Sequence, residues 1–204
     1  MTMRTGSLDG VPLRILRASF SGETGYEINL PAGEAAGLFE RLWACREHVE
    51  PVLYGIEALM ILRTEKGYLH IGADTDGTTL PADVGLARGI ARKAADFVGR
   101  RSLSRPVAGD PGRFELVGLV PRDRASVLHV GAHIAAHAPP APIDGRVTSA
   151  CFSPALGHPI ALALLRGGFK RMGERLTVYH LGAPTEAEVV SPTFVDPEGR
   201  RLHG

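Results

Sequence analysis

From residue 11 the chain alternates branched apolar and polar positions. VPLRILRASF (11–20) runs into SGETG (21–25), whose two glycines supply turn conformations, and YEINL (26–30) then resumes the alternation. The pattern predicts a β-hairpin, with Tyr26, Ile28 and Leu30 on one face and Glu27 and Asn29 on the other. After Pro31 the period lengthens. In GEAAGLFERLWACREH, Leu38, Leu42 and Cys45 fall on one helical stripe with Phe39 and Trp43 alongside, as in an amphipathic helix. GIEALMILRTEKG predicts a second helix, with Ile56, Leu59, Met60 and Arg63 at helical spacing and Gly67 placed to stop it.

HIGADTDGTTLPADVG is crowded with Gly, Asp, Thr and Pro, so it predicts a loop leading into a short helical piece before RKAADFVGRRSL. Pro and Gly then cluster without periodicity in RPVAGDPGR (105–113), which marks a domain boundary. Beyond it come short apolar runs broken by turns: FELVGLV, GAHIAAH, GRVTSACF, PIALALLR, ERLTVYH and EAEVVSPTFV. The expected fold class is α+β, with an α+β domain over residues 1–108 followed by a small C-terminal all-β barrel over residues 109–204.

Composition narrows the function. Hydrophobic residues at 44% and charged residues at 22% are ordinary globular values, so a soluble folded protein is expected. Lys+Arg 23 against Asp+Glu 22 leaves a net charge of +1, and no basic run is present to track a phosphate backbone, which argues against a nucleic-acid partner. Cys45 and Cys151 stand apart, which fits a reducing, cytoplasmic compartment. No stretch of about 18 apolar residues predicts a membrane span, and MTMRTGSLDG lacks the apolar centre of a signal peptide.

Three local signals are weak. His129, His133 and His137 recur every four residues, but Gly131 interrupts them and HAPPAP follows, so a strand and loop are expected rather than three zinc ligands on a helix. Asp74, Asp76 and Gly77 resemble the start of a calcium loop, yet the position where its Glu belongs is Gly85, and turn-forming aspartates are the better reading. No glycine-rich phosphate fingerprint follows a predicted strand, and no nucleophile elbow occurs, so flavin, dinucleotide and metal sites are not expected in this chain.

Three segments together, FSGETGYEINL, YGIEALMILRTEKGYLHIGADTDGTTLPADVGL and RKAADFVGRRSL, resemble the tetrahydrofolate-dependent aminomethyltransferase family, the glycine-cleavage T-protein and its relatives. LRTEKGYLHIGADTDGTT and the ending DPEGRRLHG resemble the branch formed by the C-terminal regions of heterotetrameric sarcosine oxidase alpha subunits. The iron–sulfur repair branch of the superfamily carries a Lys-Gly-Cys-Tyr motif, and here the matching text, KGYLHIG, has no cysteine.

The resemblance implies that residues 1–108 are a partial folate-binding domain and that tetrahydrofolate is the cofactor. It implies that Glu27, in the Gly-x-Glu motif, holds the pterin ring, that Phe20 replaces a cleft-lining tyrosine, and that Tyr68 matches a second tyrosine of the same cleft. A carboxylate suits that task, because its two oxygens can accept two parallel N–H bonds from an aminopyrimidinone edge. On pattern alone Glu27 could equally face water on an amphipathic hairpin, and Tyr68 could be a partly buried core aromatic. The family's folate-contacting arginine falls on Leu59, and Arg63 matches a structural arginine. The family's essential aspartate lies in a segment N-terminal to anything matched here, so the chain is expected to be a C-terminal part without activity alone. Two functions remain open: a folate-binding module of a sarcosine-oxidase-type complex that passes a one-carbon unit from an oxidised methylamine to tetrahydrofolate, or a non-catalytic binding or assembly module of the same fold. Either would work with flavin-binding partner subunits or as a homo-oligomer.

Overall fold

The computed structural model describes residues 1–138 and 140–203; Pro139 of HAPPAP and Gly204, the last residue of DPEGRRLHG, lie outside them. The described chain forms two compact units, one of Met1–Arg63 with residues from Glu198 onward, the other Thr64–Pro197. Among the described residues no helix is long and apolar enough to cross a membrane.

The first unit is built on a three-stranded antiparallel sheet, β1 (Thr2–Leu8), β2 (Val11–Arg17) and β3 (Tyr26–Asn29), with β2 in the centre. The expected hairpin is present, in the register Arg14↔Asn29 to Arg17↔Tyr26. Strand β1 was not foreseen. Its turn onto β2 is Asp9 and Gly10, both at positive φ (50° and 84°), the conformation of a two-residue hairpin turn for which Asp-Gly is a strong local signal. Helix α1 (Ala35–Ala44) is shorter than the amphipathic stretch suggested, being flanked by 3-10 turns over Ala32–Glu34 and Cys45–Glu47. Its expected stripe is only partly covered: Leu38 and Trp43 are half-buried, whereas Leu42 and Cys45 are exposed, so periodicity located the helix but not its buried face. Leu38 joins Leu8, Val11, Leu13 and Leu30 along a shallow apolar cleft beside the sheet.

Helix α2 (Ile56–Lys66) contains the division between the units in sequence. It stops where expected. Gly67 has φ 71°, and a Cβ there would lie 2.3 Å from the Pro192 carbonyl oxygen, so both the backbone conformation and the close approach require glycine. A short helix, α3 (Ala87–Ala91), and 3-10 turns at Pro81–Val84, Arg100–Ser104 and Pro106–Gly109 lead into the barrel.

The barrel strands are β4 (Phe114–Pro121), β5 (His133–Ile134), β6 (Gly145–Ser153), β7 (His158–Arg166), β8 (Arg175–His180) and β9 (Ala183–Val190), closed in the order β4-β7-β6-β5-β8-β9. Two strands differ from the sequence expectation. GAHIAAH contributes only the two residues of β5, and β9 begins before and ends before EAEVVSPTFV, because the chain leaves the ladder at Val190. The buried apolar side chains all lie between Leu116 and Val189 among the described residues. Val117, Leu119, Val147, Ala161, Ala163, Leu165 and Val189 fill the barrel, while Leu116, Leu162 and Leu164 point outward and are covered by Leu69, Val84, Phe114 and Phe194. Double coverage explains the unbroken apolar run of PIALALLR, since a strand buried on both faces has no polar side to show.

Residues 105–113, the Pro/Gly-rich stretch, lie within the second compact unit. We propose that residues 1–108 and 109–204 are nonetheless separable as folding domains. Limited subtilisin digestion tests this, because residues 105–107 and 109–111 of that stretch are exposed. Early cuts confined to 105–111 that release a persistent C-terminal piece are expected, and cuts scattered through both halves would contradict the division.

Candidate functional site

Phe20 lies in an eight-residue loop, 18–25, rather than a tight turn, and this loop leads into the strand that carries Glu27. Small polar residues hold it. The Gly22 amide donates to Ser19 Oγ at 3.0 Å and the Glu23 amide to Ser21 Oγ at 3.3 Å. Gly22 is buried with φ 86°, so the bend needs glycine at that point. Gly25 approaches Ala18 so closely that a Cβ would lie 2.9 Å from its carbonyl oxygen. The loop therefore delivers the chain into β3 in one defined position.

Glu27 sits on β3 opposite Leu16 and is exposed; its carboxylate has no hydrogen-bond or ion-pair partner among the described residues. Phe20 is half-buried in the loop. Tyr26, expected on one face with Ile28 and Leu30, is 63% exposed, while the other two are half-buried. Phe20 and Glu27 thus both belong to the first unit, and Tyr68, half-buried just beyond Gly67, belongs to the second. Leu59 is a half-buried residue of α2, and Arg63, one turn on, is 2% exposed, as suits a structural arginine.

RTEK, ending α2, is buried in all four positions, which its polar composition does not suggest. Two of the four are held within the second unit by specific partners. Ser153 Oγ donates to Glu65 Oε1 at 2.5 Å, and Lys66 Nζ meets Asp196 Oδ2 at 2.9 Å. These bonds anchor the stem of the segment that continues into Tyr68.

The loop after Tyr68 is anchored by the two aspartates read as turn-formers. Asp76 fits that reading: its Oδ1 accepts from the Thr78 hydroxyl at 2.7 Å, the Thr78 amide at 2.9 Å and the Thr79 hydroxyl at 3.2 Å, and Arg146 Nη2 reaches Oδ2 at 3.1 Å. The Thr78 hydroxyl and amide, with smaller contributions from Arg146 and Thr79, hold its carboxyl well below the usual range against the opposing effect of burial. Asp74 goes further. It is fully buried, and its carboxylate accepts from the His70 amide at 2.9 Å, Thr148 Oγ1 at 2.5 Å and Ser149 Oγ at 2.7 Å. Adjacent strand residues normally face opposite ways, but the β6 register shifts between Val147 and Ser149. That bulge turns both hydroxyls onto one carboxylate oxygen. His133 lies on β5, and the rings of His129 and His180 stack at 4.2 Å, so the three spaced histidines share no helix.

Comparison with known proteins adds the following. The GCVT N-terminal domain matches residues 1–94, and the glycine cleavage T-protein C-terminal barrel domain matches residues 115–196. Sarcosine oxidase subunit alpha of Rhizobium meliloti is 38% identical over 203 residues, covering 97% of this chain and 20% of that protein. The aminomethyltransferase of Thermotoga neapolitana is 34% identical over 200 residues, 96% of this chain and 52% of that protein. The crystal structure of glycine cleavage system aminomethyltransferase T from Bartonella henselae superposes with a TM-score of 0.76 at 29% identity, over 91% of this chain and 50% of that one. The chain thus spans about a fifth of the alpha subunit and about half of the aminomethyltransferases.

Proposed function

Because the chain belongs to the glycine cleavage T-protein family, with both the N-terminal and the C-terminal barrel domain matched, we propose that it is a folate-binding module of a sarcosine-oxidase-type complex. The observation that carries this reading is Glu27: an exposed carboxylate with no partner among the described residues, delivered by a loop whose own hydroxyls and glycines fix its course. An acceptor-only group so placed suits the paired N–H donors of a pterin edge. Phe20, in the same unit, would offer that ligand an aromatic face, and the assignment of Tyr68 to it rests on the resemblance alone. The fit has a limit at Leu59, whose aliphatic side chain cannot anchor an anionic folate tail. Bound tetrahydrofolate would supply the acceptor for the one-carbon unit of an oxidised methylamine. The work of this chain would be to bind and orient that acceptor, in company with flavin-binding subunits.

A second reading, a non-catalytic assembly module, is favoured by the first unit's surface. Phe39, Leu42, Val52, Leu53, Tyr54 and Ile56 are each at least half exposed there, and such apolar exposure is usually covered by another chain. Titration calorimetry of the chain with a reduced folate separates the two, because only the first requires binding. We expect these 204 residues alone to bind folate, to form no methylenetetrahydrofolate from sarcosine, and to self-associate in light scattering. A monomer that turns over sarcosine with folate would contradict the last two expectations.

A further inference from the structure

Thr24 lies in the loop 18–25, three residues before Glu27, and makes bonds that the loop's own geometry does not require. Its amide donates to the Arg201 carbonyl at 3.2 Å. Its hydroxyl lies 3.3 Å from the same carbonyl oxygen and 3.1 Å from that of Leu202. Arg17 Nη2, at the end of β2 where the loop begins, also donates to the Leu202 carbonyl, at 3.3 Å. Arg201 Nη1 returns the contact by pairing with Glu23 Oε1 at 3.2 Å. All of these residues belong to the first unit.

The two carbonyls lie in α4 (Arg200–His203), a single turn too short to satisfy its own acceptors. The loop supplies the donors the helix lacks, from both of its ends: Arg17 where β2 stops, Thr24 just before β3 starts. Between Thr24 and Glu27 stand only Gly25, which has little room to shift against the Ala18 carbonyl, and Tyr26, paired with Arg17 in the ladder. A displacement at Thr24 therefore passes to the start of β3 and to the backbone that carries Glu27.

We propose that Arg201 and Leu202 clamp the 18–25 loop through Thr24, and that Thr24 is a positioning residue for the Glu27 carboxylate. This rests on the folate reading of Glu27. A carboxylate that must accept two parallel bonds is sensitive to small rotations of its strand, so the clamp would act on affinity for the ligand more than on the stability of the fold.

The test uses the full chain and three forms of it: wild type, Thr24→Val, which keeps the shape and the amide but removes the hydroxyl donor, and Thr24→Ser, which restores that donor. Amide hydrogen exchange without ligand reads the clamp, titration with a reduced folate reads the consequence, and thermal unfolding controls for global damage. In T24V we expect faster exchange over residues 22–27, folate affinity weakened about 3- to 10-fold, and an unchanged melting midpoint. T24S should recover both exchange and affinity. Wild-type exchange and affinity in T24V would overturn the clamp. Faster exchange with equal affinity would overturn the positioning role alone. A wild-type chain that binds no folate would overturn the reading of Glu27, and with it the role given to Thr24.

Discussion

Replacing Glu27 with glutamine is expected to lower the affinity of this chain for a reduced folate by about 1.5–3 kcal/mol, the usual scale for hydrogen bonds to a charged group. Glutamine keeps the length and volume of the side chain. It converts one acceptor oxygen into an NH2 donor, which would then face a donor on the pterin, and it removes the charge that strengthens the remaining bond. Folding should be almost untouched, because Glu27 is exposed and has no partner among the described residues; a stability change within about 0.5 kcal/mol is expected. Calorimetric titration of both proteins reads the difference directly. Equal affinities would remove Glu27 from the site.

The larger effect on stability should come from Asp74. Its fully buried carboxylate serves the His70 amide and the hydroxyls of Thr148 and Ser149. Asp74→Ala would remove the acceptor that these donors share, leaving Thr148 only the longer bond to the Leu162 carbonyl at 3.3 Å, and would open a small void. A loss of about 3–5 kcal/mol is expected, since each unsatisfied buried donor costs about 1–3 kcal/mol. Asp74→Asn keeps the volume and one carbonyl oxygen, so it should cost less. Urea unfolding of the two variants checks the order, and an Asp74→Ala chain within about 1 kcal/mol of wild type would show that the network contributes little.

Much of the fold was legible where the information is local. The end of α2 could be read at Gly67 because a left-handed residue at a helix end is nearly always glycine. The long barrel strands β4 and β7 could be read from apolar runs. Strand β1 was missed although Asp9 and Gly10 announce its turn, because its residues are all exposed and show no apolar alternation. Where partners are distant in sequence, local reading failed. Asp74 has the composition of a turn residue, yet its burial depends on hydroxyls 74 and 75 positions away, aligned by a bulge that no short pattern encodes. Leu42 and Cys45 follow the helical period but are exposed, since periodicity identifies an apolar stripe without naming what covers it. At the candidate site, Glu27 and Phe20 are proposed from the resemblance of the Gly-x-Glu segment. Thr24 was not, because its partners lie 177 and 178 residues further on.

The closed barrel also has a kinetic consequence. Its last seam joins Gly118 to Val190 and Pro121 to Ala187, so β4 must wait for a strand made some seventy residues later before its ladder is complete. The Lys66–Asp196 pair is wider still, spanning 130 residues. Chain closure over such distances is paid in entropy before any contact returns it, which slows folding. The β2–β3 hairpin, whose strands are separated by eight residues, can pair within microseconds. During synthesis the hairpin can therefore be formed early, while β4 is held open with an unpaired apolar edge until β9 emerges, and that interval is when the nascent chain is most exposed to wrong partners.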